Sequence, residues 1–274
     1  MSEFFKFSNN NIICHHSVDE HPEQFKFDMH THTDCEIFYF LSGEGNYYIE
    51  GNKYPMLPGD VLITNNTESH FIELNTDVPY ERFALHFKKN FIQTLDPDQL
   101  LLAPFENRNP GKYNLLRSEN PDSEMYIVLL NNMMAETSNR ALQLETNLFP
   151  LLNEILIAFN NSGFQNVEGG KNSVQQIARY INENLSNPIS LDDICDRFFL
   201  SKSQLCRIFK KNFGSSVWSY ITIKRLIAAQ NMLDIGCAPS RVYSECGFSD
   251  YSVFFRAYKR YFGKSPNQGL KKQN

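Results

Sequence analysis

Two histidines and a glutamate near the amino terminus have the types and spacing of a polar site. His30 and His32 are separated by one residue, and Glu36 follows four positions later. If this stretch is an extended strand, His30 and His32 point to one face, where Glu36 and a residue from a paired strand can join them. Three imidazoles and one carboxylate would suit an Fe, Mn, Ni or Zn ion. The same groups could instead hydrogen-bond an organic ligand or form a purely structural network.

A repeat in the last hundred residues indicates a different kind of site. Residues 200–214 and 248–263 carry matching side chains 49 positions apart, including Arg207 with Arg256. Each copy has a serine as N-cap, an apolar stripe and a closing glycine, so each is predicted to be a helix. A shorter amphipathic segment precedes each copy. Two short helices joined by a tight turn, the second basic on its open face, are typical of a helix-turn-helix.

Charge divides the chain into two parts of opposite sign. Residues 1–170 carry 10 Lys and Arg against 24 Asp and Glu, a formal charge of −14, whereas residues 171–274 carry 16 against 7, or +9. All seven histidines lie in the first part. This asymmetry predicts two domains with different partners, and the basic charge indicates nucleic acid for the second. A solvated basic face is the alternative on charge alone.

Composition places the chain among ordinary globular proteins. Of its 274 residues, 42% are apolar and 21% are charged. There is neither a signal-peptide pattern nor the run of ~18 apolar residues that a membrane span needs. The six cysteines lie far apart and form no CxxC pair, which is typical of a reducing compartment. We therefore expect a cytoplasmic protein without a membrane partner.

The period of the apolar residues changes along the chain. Residues 36–88 form short alternating runs separated by turn residues, which predicts an antiparallel barrel or sandwich. From Ser123 the period becomes helical and predicts an αα-hairpin that forms a dimer surface or a lid on the barrel. The predicted fold is therefore α+β with two domains. Its divisions are a barrel with an N-terminal arm (1–122, the arm being 1–25), the hairpin (123–163), a linker (164–172) and an all-α domain (173–274).

The last hundred residues resemble the DNA-binding domain of AraC-type transcriptional regulators. The most specific stretch is residues 247–256, followed by Phe262-Gly263-Lys264-Ser265-Pro266. The resemblance implies a seven-helix module in which one long helix, residues 218–233, connects two helix-turn-helix units. Phe199 stands at the turn position that Gly247 occupies in the second unit.

That resemblance assigns roles to residues on the two recognition helices, which should enter successive major grooves. Arg207 and Arg256 are the strongest candidates for reading bases, because a guanidinium can bond guanine O6 and N7 together. Neighbouring cations are expected to contact phosphates, which position the protein without specifying sequence. The predicted base-reading residues are Ser203, Cys206, Arg207, Tyr251, Ser252, Phe255 and Arg256. The predicted phosphate contacts are Lys202, Lys210, Lys211, Lys259 and Arg260.

The first part of the chain resembles a cupin, a barrel commonly fused to this DNA-binding module. Its spacing matches both cupin motifs, although Asn65 and Thr67 replace the usual Pro and Gly of the second. The resemblance makes four residues candidate metal ligands: His30, His32, Glu36 and His70. We favour no metal, because a DNA-binding partner needs a ligand-dependent conformational change and no turnover. The predicted effector pocket is lined by His30, His32, Glu36, Phe38, Tyr47 and His70.

The sequence thus predicts a DNA-binding transcriptional regulator, without enzymatic activity, controlled by a small-molecule effector. Aromatic residues near the polar site suggest a sugar. The expected partners are double-stranded DNA, the effector, RNA polymerase and a second copy of the chain. One alternative is a metal-dependent cupin enzyme with a DNA-binding appendage, which bound metal and substrate turnover would favour. Another is a thiol redox sensor using Cys14, Cys35 and Cys206.

Overall fold

The structure is a computed structural model that describes residues 2–23, 29–120, 123–165 and 173–269. Within these ranges the amino-terminal part consists mainly of strands and the carboxy-terminal part of helices, as the change of period predicts. The two-domain α+β fold class is therefore confirmed. The strands are β1 (Ser2–Ser8), β2 (Ile12–Asp19), β3 (Cys35–Ser42), β4 (Gly45–Ile49), β5 (Asn52–Pro55), β6 (Val61–Thr64), β7 (His70–Leu74), β8 (Tyr80–Phe87), β9 (Leu115–Leu116) and β10 (Phe164–Gln165).

These strands form two antiparallel sheets in the described part of the chain. The larger has the order β1-β2-β8-β3-β6-β9-β10, and the smaller has the order β5-β4-β7. Inward-facing side chains from both sheets join one apolar cluster, because alternate residues of a strand point to the same face. That cluster contains five large aromatic side chains, none more than 2% exposed: Phe38, Phe40, Tyr47, Tyr54 and Tyr80. Side chains therefore fill much of the barrel.

Residues 2–19 belong to the larger sheet and do not form an arm. β2 pairs with β8 along its whole length, and β1 pairs with β2. Ile12 and Cys14 are completely buried by this arrangement. The predicted arm is therefore wrong over residues 2–19, because its alternating apolar residues complete a sheet that would otherwise end at β8. Residues 1, 24 and 25 of that prediction lie outside the described residues.

Helices follow the barrel and cover one face of the larger sheet. After α1 (Lys89–Gln93), a 3₁₀ turn (Leu100–Leu102) and α2 (Ala103–Glu106) come the two long helices α3 (Ser123–Met134) and α4 (Arg140–Asn160). The buried residues of α4 recur every three or four positions, so they share one face. That face joins a single apolar cluster with β2, β3 and β8. The helix pair is thus packed against the sheet. Of the predicted linker, Phe164 and Gln165 form β10, and residues 166–172 lie outside the described residues.

Seven helices make up the described part of the carboxy-terminal domain. The helices are α5 (Ser173–Glu183), α6 (Leu191–Phe198), α7 (Lys202–Phe213), α8 (Val217–Asp234), α9 (Pro239–Glu245), α10 (Tyr251–Phe262) and α11 (Pro266–Gly269). Two short pairs, α6 with α7 and α9 with α10, are helix-turn-helix units, and the long α8 connects them. Among the described residues, no helix combines the length and the apolar character that crossing a membrane requires.

The ends of α7 and α10 follow the predicted rules with one correction. Ser201 caps α7, and Gly214 and Gly263 end the two helices in the left-handed conformation, at φ 64° and 68°. α10 is capped by Asp250 and not by a serine, since its carboxylate accepts two N–H groups of the first turn. Asp250 lies 49 positions after Ser201, so the two caps are equivalent. A carboxylate also suits the positive end of a helix.

The turn inside each unit contains one left-handed residue. In the second unit this is Gly247, with φ 81°, and in the first it is Phe199, with φ 54°. The conformation is costly for a side chain with a Cβ atom, and the Phe199 ring gains little in return because 94% of it is exposed.

Candidate functional site

Glu36 lies at the centre of a group of imidazoles where β3 and β7 begin and β8 ends. Its Oε2 atom is 3.1 Å from Nε2 of His32 and 3.2 Å from Nε2 of His70. Its Oε1 atom is 3.9 Å from Nε2 of His86. We call His32, Glu36, His70 and His86 the His–Glu cluster. Three ring nitrogens from three parts of the chain thus face one carboxylate.

Backbone carbonyls fix the orientation of two of these rings. Nδ1 of His32 lies 2.8 Å from the carbonyl oxygen of Asp34, and Nδ1 of His70 lies 3.0 Å from that of Glu68. A carbonyl oxygen only accepts hydrogen bonds, so both Nδ1 atoms carry a proton and donate it. Both Nε2 atoms are thereby directed at the Glu36 carboxylate.

Burial and mutual contact set the charges of the cluster. Burial lowers the pKa of His86 to about 3, so its imidazole is neutral at physiological pH. Burial disfavours the charged form of His32 too, but its hydrogen bond with Glu36 and that group's charge outweigh burial and raise the His32 pKa. Burial would raise the pKa of Glu36, yet the facing imidazoles hold it well below its usual value. The carboxylate is therefore ionised.

The sequence predicted part of this cluster. His32, Glu36 and His70 meet as expected, whereas His30 is exposed and its ring packs edge-on against the His70 ring, 4.4 Å between centroids. Neither His30 nor His32 lies in a strand, because β3 begins only at Cys35. The argument from strand alternation was therefore wrong for these two residues, and a loop presents His32 to Glu36.

His86 is the member of the cluster that sequence reasoning missed. The pairing of β3 with β8 sets Glu36 directly opposite His86. The ligand atoms of His32, Glu36 and His86 all lie within 4.8 Å of one another. Residues 80–87 are readily identified as a strand, but only the register of the sheet shows that this strand lies beside Glu36. That register was the missing signal.

Of the predicted pocket aromatics, Tyr47 and Phe38 lie beneath the cluster. The Tyr47 hydroxyl donates to Oε2 of Glu36 at 3.4 Å, and the Phe38 ring packs edge-on against Tyr47 with centroids 4.9 Å apart. Both are buried in the barrel interior. The neighbouring Tyr48 points away from this interior and stacks on Phe71 at 4.5 Å. Alternation along β4 thus separates two adjacent tyrosines.

α7 and α10 each bury one apolar face and expose the residues predicted to contact DNA. Phe209 in α7 and Tyr258 in α10 are completely buried. Both predicted base-reading arginines, Arg207 and Arg256, are exposed at equivalent positions. Of the other predicted base-reading residues, Ser203, Cys206 and Ser252 are exposed, and Tyr251 and Phe255 are half-buried. The predicted phosphate-contacting residues are all exposed: Lys202, Lys210, Lys211, Lys259 and Arg260.

An open groove of about 950 Å³ runs along α8 beside α10. Arg256 and Arg260 line it from α10, and Trp218 lines it from α8. Guanidinium groups at the wall of a concave surface favour a polyanion such as a nucleic-acid backbone. The side chain of Arg225 in α8 also lines the groove, but it donates to two carbonyls before α6 and so holds the helices together.

The two domains touch at the loop that carries the first histidines. The hydroxyl of Tyr261, in α10, donates to the carbonyl oxygen of Thr31 at 2.5 Å. It also lies 3.0 Å from Oγ1 and 3.2 Å from the backbone nitrogen of Thr31. Thr31 is buried and immediately precedes His32. The loop that carries His32 is therefore hydrogen-bonded directly to the second recognition helix.

A second contact between the domains centres on Glu50, at the tip of the β4–β5 hairpin. Its carboxylate accepts from Nζ of Lys224, and from the hydroxyl of Tyr220 at 2.7 Å, both in α8. It also accepts from the N–H and hydroxyl of Ser69, at 2.6 and 2.8 Å. Glu50 is 4% exposed and Lys224 7%, so the ion pair is buried. Ser69 immediately precedes His70, so this contact also adjoins the His–Glu cluster.

The shape of the hairpin tip depends on Gly51. Its φ of 76° is left-handed, and a Cβ atom there would lie 2.9 Å from the Phe213 ring of α7. Only glycine combines this conformation with such close contact. The barrel therefore places a tight turn against α5, α7 and α8 of the carboxy-terminal domain.

Two of the three thiols named for a redox sensor, Cys14 and Cys35, lie in unreactive surroundings. Cys14 and Cys35 are buried, and burial raises the pKa of each thiol to about 12. A thiol that stays protonated is a poor nucleophile. Cys206 is exposed on α7, among the predicted DNA contacts.

Comparison with known proteins agrees with both halves of this description. The family model of the AraC-like ligand binding domain matches residues 17–142, and that of a helix-turn-helix domain matches residues 194–272. The chain is 23% identical to the Msm operon regulatory protein of Streptococcus mutans over 93% of this chain and 91% of that protein. It is 25% identical to the HTH-type transcriptional activator RhaS of Mannheimia succiniciproducens over 97% and 96%.

Among solved structures, ToxT from Vibrio cholerae aligns at 14% identity and a TM-score of 0.41, over 95% of this chain and 98% of that one. The two family models together match about three quarters of the chain. They assign a ligand-binding role to the barrel and a DNA-binding role to the paired helix-turn-helix units described above. The protein accordingly belongs to the AraC family of DNA-binding transcriptional regulators, with a ligand-binding domain ahead of its helix-turn-helix domain.

Proposed function

We propose that a small molecule bound at the His–Glu cluster controls how the two helix-turn-helix units are presented to DNA. The observation that carries this proposal is the hydrogen bonding of Thr31 with Tyr261. Thr31 immediately precedes His32, and Tyr261 lies in the second recognition helix, so these hydrogen bonds join the His32 loop directly to that helix. A ligand that prefers one position of this loop shifts the equilibrium between arrangements of the two domains.

We propose a sugar as the effector class. Sugars are recognised by hydrogen bonds from polar side chains placed beside aromatic rings, and the cluster supplies both kinds of group. His32 and His86 keep 20% and 15% of their side chains exposed, which gives a ligand access. Because the named relatives are regulators, we also propose that the sugar is bound and not converted.

A panel of free pentoses, hexoses and deoxyhexoses tests this proposal on the full chain. At least one sugar should raise the thermal unfolding temperature and change the affinity for a specific DNA duplex. His32→Ala should abolish both effects of the sugar, whereas affinity for DNA without sugar should persist. A panel with no effect on either property, or equal responses of the variant and the unchanged protein, would refute a sugar effector at this site.

For DNA we propose that the exposed faces of α7 and α10 enter successive major grooves. Arg207 and Arg256 read guanines, and the surrounding cations hold the phosphate backbone. The exposure of the two arginines at equivalent positions supports this assignment. The other proposed base contacts are Ser203, Cys206, Tyr251, Ser252 and Phe255, and the proposed phosphate contacts are Lys202, Lys210, Lys211, Lys259 and Arg260.

We further propose that the chain acts in the cytoplasm as a homodimer that contacts RNA polymerase. The outer surface of the α3–α4 pair supports dimerisation, because Met125, Val128, Leu142 and Ile157 are each at least 41% exposed there. Apolar side chains grouped on one surface favour a protein interface. Sedimentation of the full chain measures this directly: Val128→Glu with Leu142→Glu should give a monomer, and an unchanged dimer would place the interface elsewhere.

A further inference from the structure

The apolar core of the first helix-turn-helix unit contains side chains of the barrel. Tyr48 and Phe71, on the outer face of the smaller sheet, belong to the same buried cluster as Phe213 of α7 and Tyr220 of α8. The Tyr48 and Phe71 rings stack with their centroids 4.5 Å apart, and the two residues are 6% and 8% exposed. The fit is close, because a Cβ atom at Gly214, just after α7, would lie 3.2 Å from the Phe71 ring. The barrel thus completes the packing of the first unit.

Polar groups fix the first unit to the barrel at the same place. The buried ion pair of Glu50 with Lys224 lies on the first half of α8, and Gln175 of α5 donates to the carbonyl oxygen of Gly51 at 3.4 Å. Separating these surfaces would expose the apolar rings to water and leave the Glu50 carboxylate without its cation. Both changes cost free energy, so the first unit and the barrel are held together like two parts of one domain.

The second helix-turn-helix unit packs on the other half of α8, and its core is built without the barrel. Its buried cluster joins Leu226 and Leu233 of α8 with Val242 of α9 and with Phe254 and Tyr258 of α10. None of the barrel residues that the structure describes belongs to this cluster. The two units, although similar in sequence, therefore differ in what their cores depend on.

The second unit is joined to the barrel by polar contacts. One is the bonding of Tyr261 with Thr31, and in the other Nδ2 of Asn66 donates to Oδ1 of Asn231, near the end of α8, at 3.2 Å. Oδ1 of Asn66 is buried and has no hydrogen-bond partner among the described residues, so the second contact is incomplete. Water can replace such hydrogen bonds when they open, so breaking them costs much less than separating an apolar core.

We propose that the barrel and the first helix-turn-helix unit form one rigid body, and that the ligand site regulates the second unit alone. The first statement depends only on the shared core. The second rests on the proposed function, in which a ligand moves the loop of His32 and Thr31. Because Tyr261 in α10 bonds this loop, the position of α10 changes with it, whereas α7 keeps its place on the barrel. The ligand then changes the affinity for the motif that α10 reads and leaves the affinity for the other motif as it was.

Amide hydrogen exchange of the full chain, without DNA or sugar, tests the rigid body. Phe71→Ala opens a cavity in the shared core, so the slow amides of α7 should exchange at least ~10-fold faster and those of α10 should change by less than ~2-fold. Phe71→Leu is the milder variant and should shift α7 in the same direction. The matched control is Val242→Ala in the core of the second unit, which should accelerate α10 and leave α7 unchanged. Equal acceleration of α7 and α10 by Phe71→Ala, or no acceleration of α7, would overturn the proposal.

Tyr261→Phe tests the regulated unit, since it removes the hydroxyl that bonds Thr31 and keeps the ring. The DNA probes are duplexes, selected from a random pool, in which one of the two motifs has been scrambled. Affinity for the second motif should change by at least ~5-fold, a typical coupling between sites, and affinity for the first by less than ~2-fold. Tyr243→Phe removes a hydroxyl from α9 of the same unit and should change neither affinity. Equal changes at both motifs with Tyr261→Phe would show that the second unit is not regulated separately.

The response to sugars separates this proposal from the proposed function. If no sugar changes DNA binding, the proposed function fails, and the exchange measurements still decide whether the first unit and the barrel are one body. If a sugar changes the affinity for both motifs equally, the proposed function stands and regulation of the second unit alone is wrong.

Discussion

Arg207 and Arg256 stand 49 residues apart, at the same place on two similar helices, and both side chains are free of the apolar core. A guanidinium in this position can recognise a guanine, whereas we propose that a lysine near the end of the helix contacts the phosphates. The two kinds of contact differ in what they contribute, since only the first carries sequence information. Single substitutions can therefore distinguish the two kinds of contact by their effect on affinity and on sequence preference.

Arg256→Ala should weaken binding to a specific site by about 1–3 kcal/mol and relax the preference at one base pair. Lys211→Ala is the matched comparison, because it removes a cation near the end of α7. It should weaken binding to all sequences alike and reduce the slope of log K against log salt concentration by about one, because one counterion fewer is released. Fluorescence anisotropy with duplexes altered at single base pairs, repeated at several salt concentrations, separates the two effects. Equal, sequence-independent losses for both variants would contradict the assignment.

Phe199 offers a second prediction for a single residue. Its backbone is left-handed and its ring is exposed, so Phe199→Gly should stabilise the domain by up to about 1 kcal/mol. Phe199→Ala removes the ring and keeps the Cβ atom, and it should therefore give no comparable gain. Urea unfolding followed by the fluorescence of Trp218 reports this domain. Equal gains for glycine and alanine would show that the ring, and not the backbone, is responsible.

Residue types were easier to predict than residue partners. His32 and Glu36 could be identified from the spacing of one local motif, and His70 from the resemblance to the second cupin motif. His86 could not, since it reaches Glu36 only through the register of β3 with β8. His30 was included because it is close to His32 and Glu36 in sequence. In the structure it is exposed, and its ring packs against His70 instead of facing Glu36.

Elements were predicted well where the period was strong. Residues 36–88 contain strands and residues from 123 onward contain helices, as predicted, because alternation and helical spacing reflect burial directly. The exception is the pair β1 and β2. Their apolar alternation is visible in the sequence, but whether it forms an arm or an edge of the sheet depends on an available partner, and here β8 is that partner.

The cap of α10 gives a prediction at this scale. Asp250→Ala should cost about 1 kcal/mol of stability, because two N–H groups of the first turn lose their acceptor. Ser249→Ala changes the serine beside it and should shift stability by less than about 0.5 kcal/mol. Both can be measured by urea unfolding with Trp218 fluorescence, as this residue lies in α8 beside α10. A larger loss for Ser249→Ala would mean that the serine is the cap after all.

On the scale of the whole molecule, the contact between the domains could not be predicted from the sequence. The formal charges of the two parts, −14 and +9, indicate that they attract each other but do not identify the residues in contact. The pair of Glu50 and Lys224 forms only because a hairpin tip fits between helices of the other domain. The sequence positions of the two residues do not predict this fit, because it depends on the folded shapes of the barrel and of the carboxy-terminal domain.

This buried pair predicts strong coupling between the domains. Lys224→Met should destabilise the chain by about 3–5 kcal/mol, because it leaves the Glu50 carboxylate buried beside Tyr220 and Ser69 without a cation. The double variant with Glu50→Gln should lose much less than the sum of the single losses. Lys202→Met is the control, since its pair with Asp192 is exposed and should contribute less than about 1 kcal/mol. Additive losses in the double variant would show that the two residues do not act as a pair.

The most direct test of the central claim is selection of binding sites from a pool of random DNA duplexes by the full chain. Two helix-turn-helix units on one chain should select two short motifs about 10–10.5 base pairs apart, centre to centre. Arg207→Ala should relax one motif and Arg256→Ala the other, and a spacer of about half a helical turn between the motifs should abolish tight binding. A single selected motif, or both variants relaxing the same base pairs, would contradict an account in which each recognition helix reads its own groove.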